Sequence, residues 1–256
     1  MNREPARRAS AEMLGTGLLV TVVVGSGIMA QRRSPGDAGL QLLENSTATA
    51  LGLAAVILML GPVSGAHFNP LVTLADFALG RRDRTGVGPA TVAVFIPAQI
   101  AGGVGGTVLA NLMFGLPAAT ASTHVRTGAN LWLGEVVATA GLILLIFALA
   151  RTGRGAYGPA AVGAYIGAAY WFTSSTSFAN PAVTLARAFT DTFAGIAPGS
   201  LIGFVAAQVL GAGIGAGLVV ALFPHRPTPS RPLAADDPTA QPAAASVGSG
   251  SSGSRA

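Results

Sequence analysis

Six stretches of this chain are apolar for long enough to cross a lipid bilayer, and that feature leaves few folds open. They fall near residues 12–31, 44–63, 88–110, 130–150, 158–175 and 197–223. A hydrocarbon core of roughly 30 Å takes about 20 helical residues, so each stretch reads as one span. Lipid satisfies no backbone polar group, which makes an all-α, six-span bundle the expected fold class. Composition agrees. Charged residues make up 10% of the chain and apolar residues 51%, with a mean hydropathy of +0.58, whereas soluble domains carry about a quarter charged residues. A cleaved signal peptide is not expected for the first run, because Glu12 interrupts its apolar stretch.

The net charge of +5 and pI near 11.0 raise the question of nucleic acid. The arginines, however, sit in short clusters between apolar runs and there is no lysine, which marks membrane flanks. The expected surroundings are therefore a lipid bilayer, with no nucleic-acid partner. The absence of cysteine removes disulfides, thiol catalysis and thiolate metal sites, and no cofactor is expected. With the N-terminus inside, Arg3, Arg7, Arg8, Arg81, Arg82, Arg84, Arg151 and Arg154 are cytoplasmic, while Arg32, Arg33, Arg126 and Arg187 lie outside. That bias predicts both termini in the cytoplasm of a multi-pass inner (plasma) membrane protein. Residues 1–11 read as a cytoplasmic N-terminal segment, 12–223 as the membrane domain, and 224–256, rich in Pro, Ala, Ser and Gly, as a disordered cytoplasmic tail.

The membrane domain repeats itself, in halves at about 12–115 and 130–223. Glu12-x-x-x-Thr16 in the first span matches Glu135-x-x-x-Thr139 in the fourth. Phe95, Ala98, Gln99, Gly102 and Gly106 in the third match Phe204, Ala207, Gln208, Gly211 and Gly215 in the sixth, at the same spacing. Between them, two segments too short to span, 67–79 and 178–189, each open on Asn-Pro and continue Val-Thr-Leu-Ala. Three spans per half is an odd number, so the second copy is inverted. Inverted repeats place a shared site at broken helices near the bilayer midplane. Chance likeness among apolar helices does not produce ordered matches of Glu, Thr, Gln and Asn.

Asn at an N-cap followed by Pro at the first helical position is a favoured helix start. The side-chain oxygen of Asn69 or Asn180 takes a backbone N–H, which aims its NH2 group away from the helix. Two inverted half-helices meeting this way bring Asn69-Pro70-Leu71 and Asn180-Pro181-Ala182 together at the centre of a pore, positive ends inward. A neutral oxygen accepts bonds there, while a cation meets positive dipoles and incomplete rehydration. One Asn-Pro is most often an ordinary helix start. Two in matched contexts are specific.

At these residues the chain resembles the aquaporin (major intrinsic protein) family. GAHFNPLVTLADFALG (65–80) and SFANPAVTLARAF (177–189) are similar to its two pore loops, and the resemblance covers residues 12–223. It implies six spans with two re-entrant half-helices, and a homotetramer with a pore in each subunit. It also implies passage of small neutral solutes and support of the pore loops by Glu12 and Glu135. Two departures stand out. Leu71 replaces the usual alanine, and Val183 occupies the place where most members carry a filter arginine. Counting from each Asn-Pro puts the other filter positions at Thr49, Ala168 and Ser177. That set is small and uncharged, like a variant bacterial aquaglyceroporin-like branch associated with arsenic resistance. It predicts a wide filter passing glycerol-like polyols, water and neutral arsenic species. Arg187, one turn past Val183, reads as a snorkelling or surface arginine paired with Asp191.

Within spans, an ionisable group is a functional candidate by default, so Glu12 and Glu135 carry proton relay as their alternative. His67 is expected at the cytoplasmic pore wall, and one histidine makes no metal site. The Gly-x-x-x-Gly series reads as helix packing. A secondary transporter built on the same inverted repeat is the rival function, but no carboxylate cluster for a coupling ion lies near either Asn-Pro. An intramembrane enzyme would need a Ser/His pair, His-Glu-x-x-His or paired Asp, and none is present.

Overall fold

A computed structural model describes residues 4–83 and 85–224. Among them are eight α-helices: α1 Glu4–Arg33, α2 Ala38–Ser64, α3 Pro70–Asp83, α4 Pro89–Met113, α5 Ala129–Arg151, α6 Gly158–Phe172, α7 Pro181–Ala186 and α8 Leu201–Leu222. The expected disordered tail, apart from Pro224, lies outside the described residues, as do residues 1–3 and Arg84.

The helices start and stop where local chemistry directs. The Asp37 carboxylate accepts the Leu40 N–H at 2.9 Å and caps α2, which is why that helix begins six residues before the apolar run at 44. Gly65, at φ 97°, ends α2 in the left-handed conformation, with its N–H on the Gly61 carbonyl. Pro89, Pro181 and Pro198 open first turns, where no N–H is required. The first span is also longer than its apolar run. Residues 4–11, expected as a separate segment, form the opening turns of α1, where Arg7 pairs with Glu4 at 2.8 Å. Helical hydrogen bonding continues past the end of the apolar sequence.

Five described helical segments are long and apolar enough to cross a membrane. The sixth expected span is shorter, because α6 holds 15 residues and stops at Phe172, not near 175. With the 3-10 turn Gly155–Tyr157 ahead of it, this element still reaches roughly 28 Å at helical rises of about 1.5 and 2.0 Å.

Packing repeats in the two halves. The Gly102 and Gly106 faces of α4 lie directly against the Met13 and Gly17 carbonyls of α1, leaving no space for a Cβ. In the second half Gly211 and Gly215 of α8 meet the Val136 and Ala140 carbonyls of α5. Each contacted residue sits one or five positions after the matched glutamate, so the crossings are equivalent. Small residues allow this approach in lipid, where apolar burial gives little drive to helix pairing. The distribution of side chains is that of a membrane protein: Leu51, Leu58 and Ile202 are exposed, while Glu12, Gln99, Glu135 and Gln208 are fully buried.

Candidate permeation site

The buried polar residues form two equivalent cradles. In the first, Glu12 Oε1 accepts the Ser64 hydroxyl at 2.6 Å and the His67 N–H at 3.0 Å. Its Oε2 accepts the Phe68 N–H at 2.7 Å and the Gln99 amide at 2.8 Å. In the second, Glu135 accepts the Phe178 and Ala179 N–H groups, both at 2.9 Å, and the Gln208 amide at 2.6 Å. Gln99 and Gln208 each donate again, to Thr73 at 3.0 Å and Thr184 at 2.8 Å on the half-helices. Both glutamates thus hold pore-loop backbone, and neither lines the cavity.

The loops need this support because their backbone is unfavourable. Ala66 and Phe68, at φ 52° and 48°, are left-handed, and so are their counterparts Ser177 and Ala179, at 50° and 49°. Left-handed non-glycine residues cost about 1–3 kcal/mol each. What results is a cross-link between halves. Phe68 donates its N–H to Glu12, and its carbonyl accepts from Asn180 Nδ2 at 2.7 Å. Ala179 donates its N–H to Glu135, and its carbonyl accepts from Asn69 Nδ2 at 2.8 Å.

The two asparagines cap their own helices. Asn69 Oδ1 accepts the Leu71 N–H at 2.9 Å. Asn180 Oδ1 accepts those of Ala182 and Val183, at 3.0 and 3.3 Å. Each NH2 has two hydrogens, and the opposite loop's carbonyl takes one. The other remains for whatever occupies the cavity that both residues line.

That cavity, of about 570 Å³, extends from His67, Asp76 and Gly155 past both asparagines to Thr49, Tyr170, Ser177 and Arg187. Its flanks are apolar, including Leu53, Leu142, Val162 and Ile166. His67 lies in the wall, with Nδ1 3.1 Å from the Thr73 hydroxyl, Nε2 3.9 Å from Asp76 and its ring edge-on to Phe95. Pro70 and Pro181 start α3 and α7, while Leu71 packs with Ile143 and Phe147, and Ala182 is fully buried.

Of the four filter positions named from sequence, Thr49, Ser177 and Val183 line the cavity and Ala168 does not. Ala168 is exposed on the far face of α6, two residues from both Ile166 and Tyr170, which do line it. Two residues are about 200° of helix, so counting across the loop at 173–176 landed on the wrong face. Tyr170 was missed, although Val162, Ile166 and Tyr170 repeat at helical spacing; its hydroxyl is 3.2 Å from that of Thr49.

Arg187 also departs from expectation. It is not a surface residue: its exposure is 2%, and it lines the cavity beside Val183. Asp191 does not pair with it, and instead accepts the Thr123 N–H and hydroxyl at 2.8 and 2.9 Å. The Arg187 Nε donates to the Ala194 carbonyl, and the guanidinium stacks 3.5 Å from the centre of the Phe178 ring. The wall of this channel is therefore not uncharged.

The major intrinsic protein family model matches residues 2–178, well over half of the chain. The chain belongs to the major intrinsic protein family. An aquaglyceroporin of Rhizobium meliloti, AqpS, is 54% identical over 206 residues, covering 80% of this chain and 85% of that protein. The glycerol uptake facilitator of Escherichia coli is 34% identical over 168 residues, 57% of each chain. In three dimensions the X-ray structure of the aquaglyceroporin from Plasmodium falciparum superposes with a TM-score of 0.64 at 20% identity, covering 84% of this chain and 95% of that one. It shares the fold. Membership of this family makes the chain a multi-pass membrane channel and not an enzyme.

Proposed function

We propose that this protein is a passive channel for small neutral solutes, with glycerol-like polyols and water as its main permeants and neutral arsenic hydroxides as a further class. The observation that carries the reading is the pair of Asn69 and Asn180 amides, each donating one hydrogen to the opposite loop while both residues line the cavity. A hydroxyl oxygen accepts from both as it passes, while the apolar flank opposite gives its carbon side a surface to slide along. A bare cation gains no acceptor oxygen from these donors and keeps its full dehydration cost. The relatives named for glycerol uptake and aquaglyceroporin activity support the same solute class.

The filter residues of this reading are Thr49, Tyr170, Ser177, Val183 and Arg187, with Glu12, Glu135 and His67 supporting the pore loops. The protein acts as a homotetramer in the inner membrane with both termini cytoplasmic; exposed apolar side chains such as Leu51, Leu58 and Ile202 are free to face lipid or neighbouring copies. The experiment is stopped-flow light scattering on proteoliposomes challenged with water, glycerol, urea and the trihydroxides of arsenic and antimony. Glycerol flux well above protein-free vesicles, independent of any proton or sodium gradient, is the expected result. Flux that required such a gradient would establish a secondary transporter instead.

A further inference from the structure

The residue seven positions after each pore asparagine and the residue two before it meet at the cavity wall. In the second half these are Arg187 and Phe178, with the guanidinium 3.5 Å from the ring centre. In the first they are Asp76 and His67, with Oδ2 and Nε2 3.9 Å apart and side-chain exposures of 24% and 12%. The same slot thus holds a stacked cation in one half and a pair of electron-pair donors in the other. Hydrogen bonds around His67 fix which of its nitrogens carries the hydrogen. The Thr73 hydroxyl donates to the Asn69 carbonyl at 3.2 Å and accepts the Gln99 amide at 3.0 Å. It therefore faces the His67 Nδ1, 3.1 Å away, as an acceptor. Nδ1 holds the N–H, and Nε2 of the neutral ring presents a bare lone pair toward Asp76.

Across the gap, Asp76 Oδ2 accepts the Val87 N–H at 2.8 Å, which uses one of about four lone-pair positions of the carboxylate. Two acceptors make no hydrogen bond with each other, so what joins them is a group that takes electron pairs from both. A zinc-sized ion about 2.1 Å from each ligand holds neighbouring ligands about 3.0–3.4 Å apart. Closing the pair takes about 0.5 Å, within reach of the soft terminal torsion of an aspartate. The surroundings are also those of ligands. A metal-bound histidine keeps its other ring N–H on an acceptor, and a metal-bound carboxylate is itself hydrogen-bonded. Thr73 and Val87 already make those two contacts. The loop carrying Val87 is held in turn, with the Thr85 N–H on the Gly80 carbonyl at 2.9 Å and Gly86 too close to the Asp76 carbonyl for a Cβ. No third His, Asp or Glu completes a cluster among the described residues, so water fills the remaining positions of the ion.

We propose that His67 Nε2 and the Asp76 carboxylate bind a divalent transition-metal ion (nickel, copper or zinc) in the cavity wall, and that the bound ion closes the pore to neutral solutes. The closing rests on the channel reading above; the binding does not. One histidine by itself makes no metal site, and the fold supplies the second ligand from α3. Imidazole suits these ions, whereas calcium and magnesium take oxygen ligands. The ion and the waters it keeps stand in the cavity that a solute crosses. His124 and Asp191 form a similar pair, 3.8 Å apart, but neither lines the cavity, so an ion there leaves the pore open.

The test uses the full chain without an affinity tag, carrying His124→Gln and His225→Gln so that His67 is its single histidine. Copper added to this parent in detergent should bind with one imidazole nitrogen coupled to it in the electron paramagnetic resonance spectrum. That coupling should vanish in His67→Gln. Nickel on both sides of proteoliposome membranes should remove most glycerol flux, read as a fraction of each variant's own metal-free flux. Asp76→Asn should need at least about 10-fold more nickel for half-block, since losing a ligand costs no less than losing a ligand's supporting hydrogen bond. Asp76→Cys puts the chain's only thiol at the site and should be blocked by zinc at a lower concentration than the parent, because thiolate is a favoured zinc ligand. No imidazole coupling in the parent, or coupling that persists in His67→Gln, overturns the site. Nickel that leaves the parent's flux intact, or blocks Asp76→Asn equally well, overturns the block. Metal-free vesicles that pass no glycerol would overturn the channel reading instead, while the copper spectrum still decides the site.

Discussion

Glu135→Ala should abolish a functional pore, because three donors lose their acceptor in a place no water reaches. The carboxylate takes the Phe178 N–H, the Ala179 N–H and the Gln208 amide. Each buried donor left without a partner costs about 1–3 kcal/mol, so the loss is roughly 3–9 kcal/mol. That is comparable to the whole stability of a typical domain, about 5–15 kcal/mol. It falls on backbone already held left-handed at Ser177 and Ala179. Without the carboxylate, Ala179 relaxes, its carbonyl leaves Asn69, and the central pair separates. Glu135→Gln keeps one oxygen but turns an NH2 toward donors, so at least one of the three is lost, about 1–3 kcal/mol. The assay is thermal unfolding of the detergent-purified protein followed by glycerol flux in vesicles, with the order wild type, Gln, Ala expected in both. The proton-relay alternative gives a different pattern, proton flux in wild-type vesicles that disappears in Glu135→Gln at unchanged stability. That pattern, or wild-type melting and flux in Glu135→Ala, refutes the cradle.

Three further outcomes are expected. Gly102→Ala places a Cβ on the Met13 carbonyl, forcing α1 and α4 apart; it should lower the melting temperature in detergent, whereas Gly105→Ala, with open space around it, should not. Asn180→Ala removes the α7 cap and the bond to the Phe68 carbonyl together. It should lose about 1–3 kcal/mol from those two contacts and most glycerol flux, read by the same melting and light-scattering measurements. Asp191 is held below the usual carboxylate range, first by the Thr123 N–H and then by its hydroxyl. A lowered value means that its contribution is present above the unfolded pKa of about 3.9 and lost as pH falls through the lower folded value. Protection of the Thr123 amide from hydrogen exchange, corrected for intrinsic rate, should therefore hold from neutral pH to about pH 4, then fall, and be low throughout in Asp191→Asn.

Polar residues inside apolar runs were what made the scaffold legible. Glu12, Glu135, Gln99, Gln208, Asn69 and Asn180 each cost energy to bury, so finding them at matched spacing in two halves announced a shared job, and their contacts link them in two cradles. Ala168 failed because its assignment crossed a loop: Thr176 is itself left-handed, at φ 61°, and the path from α6 to Asn180 is not a uniform count. Arg187 failed for a different reason. A lone arginine near the end of a short amphipathic segment has the same local sequence whether it snorkels to water or turns inward. What turns it inward is the Phe178 face and the Ala194 carbonyl, and the second of these lies in a loop that carries no pattern. Tyr170 was recoverable from helical spacing alone once α6 was placed.

The inverted repeat also constrains where selectivity can differ between the two ends of the pore. Any change to the cradle glutamates or the asparagines disturbs both halves at once, because each Asn donates to the carbonyl of the residue that the other half's glutamate holds. The slot at Asp76 and Arg187 has no such coupling: its occupant touches its own half's loop and the cavity, so its charge can change without breaking the central cross-link. In this chain the slot of the first half is an acid 3.9 Å from a histidine and that of the second half a cation stacked on a phenylalanine. A solute entering past Arg187 thus meets donors first, there and then at the asparagines, and reaches an acceptor carboxylate only at the far end. Neutral hydroxyl groups, which accept and then donate, can interact with each station in turn.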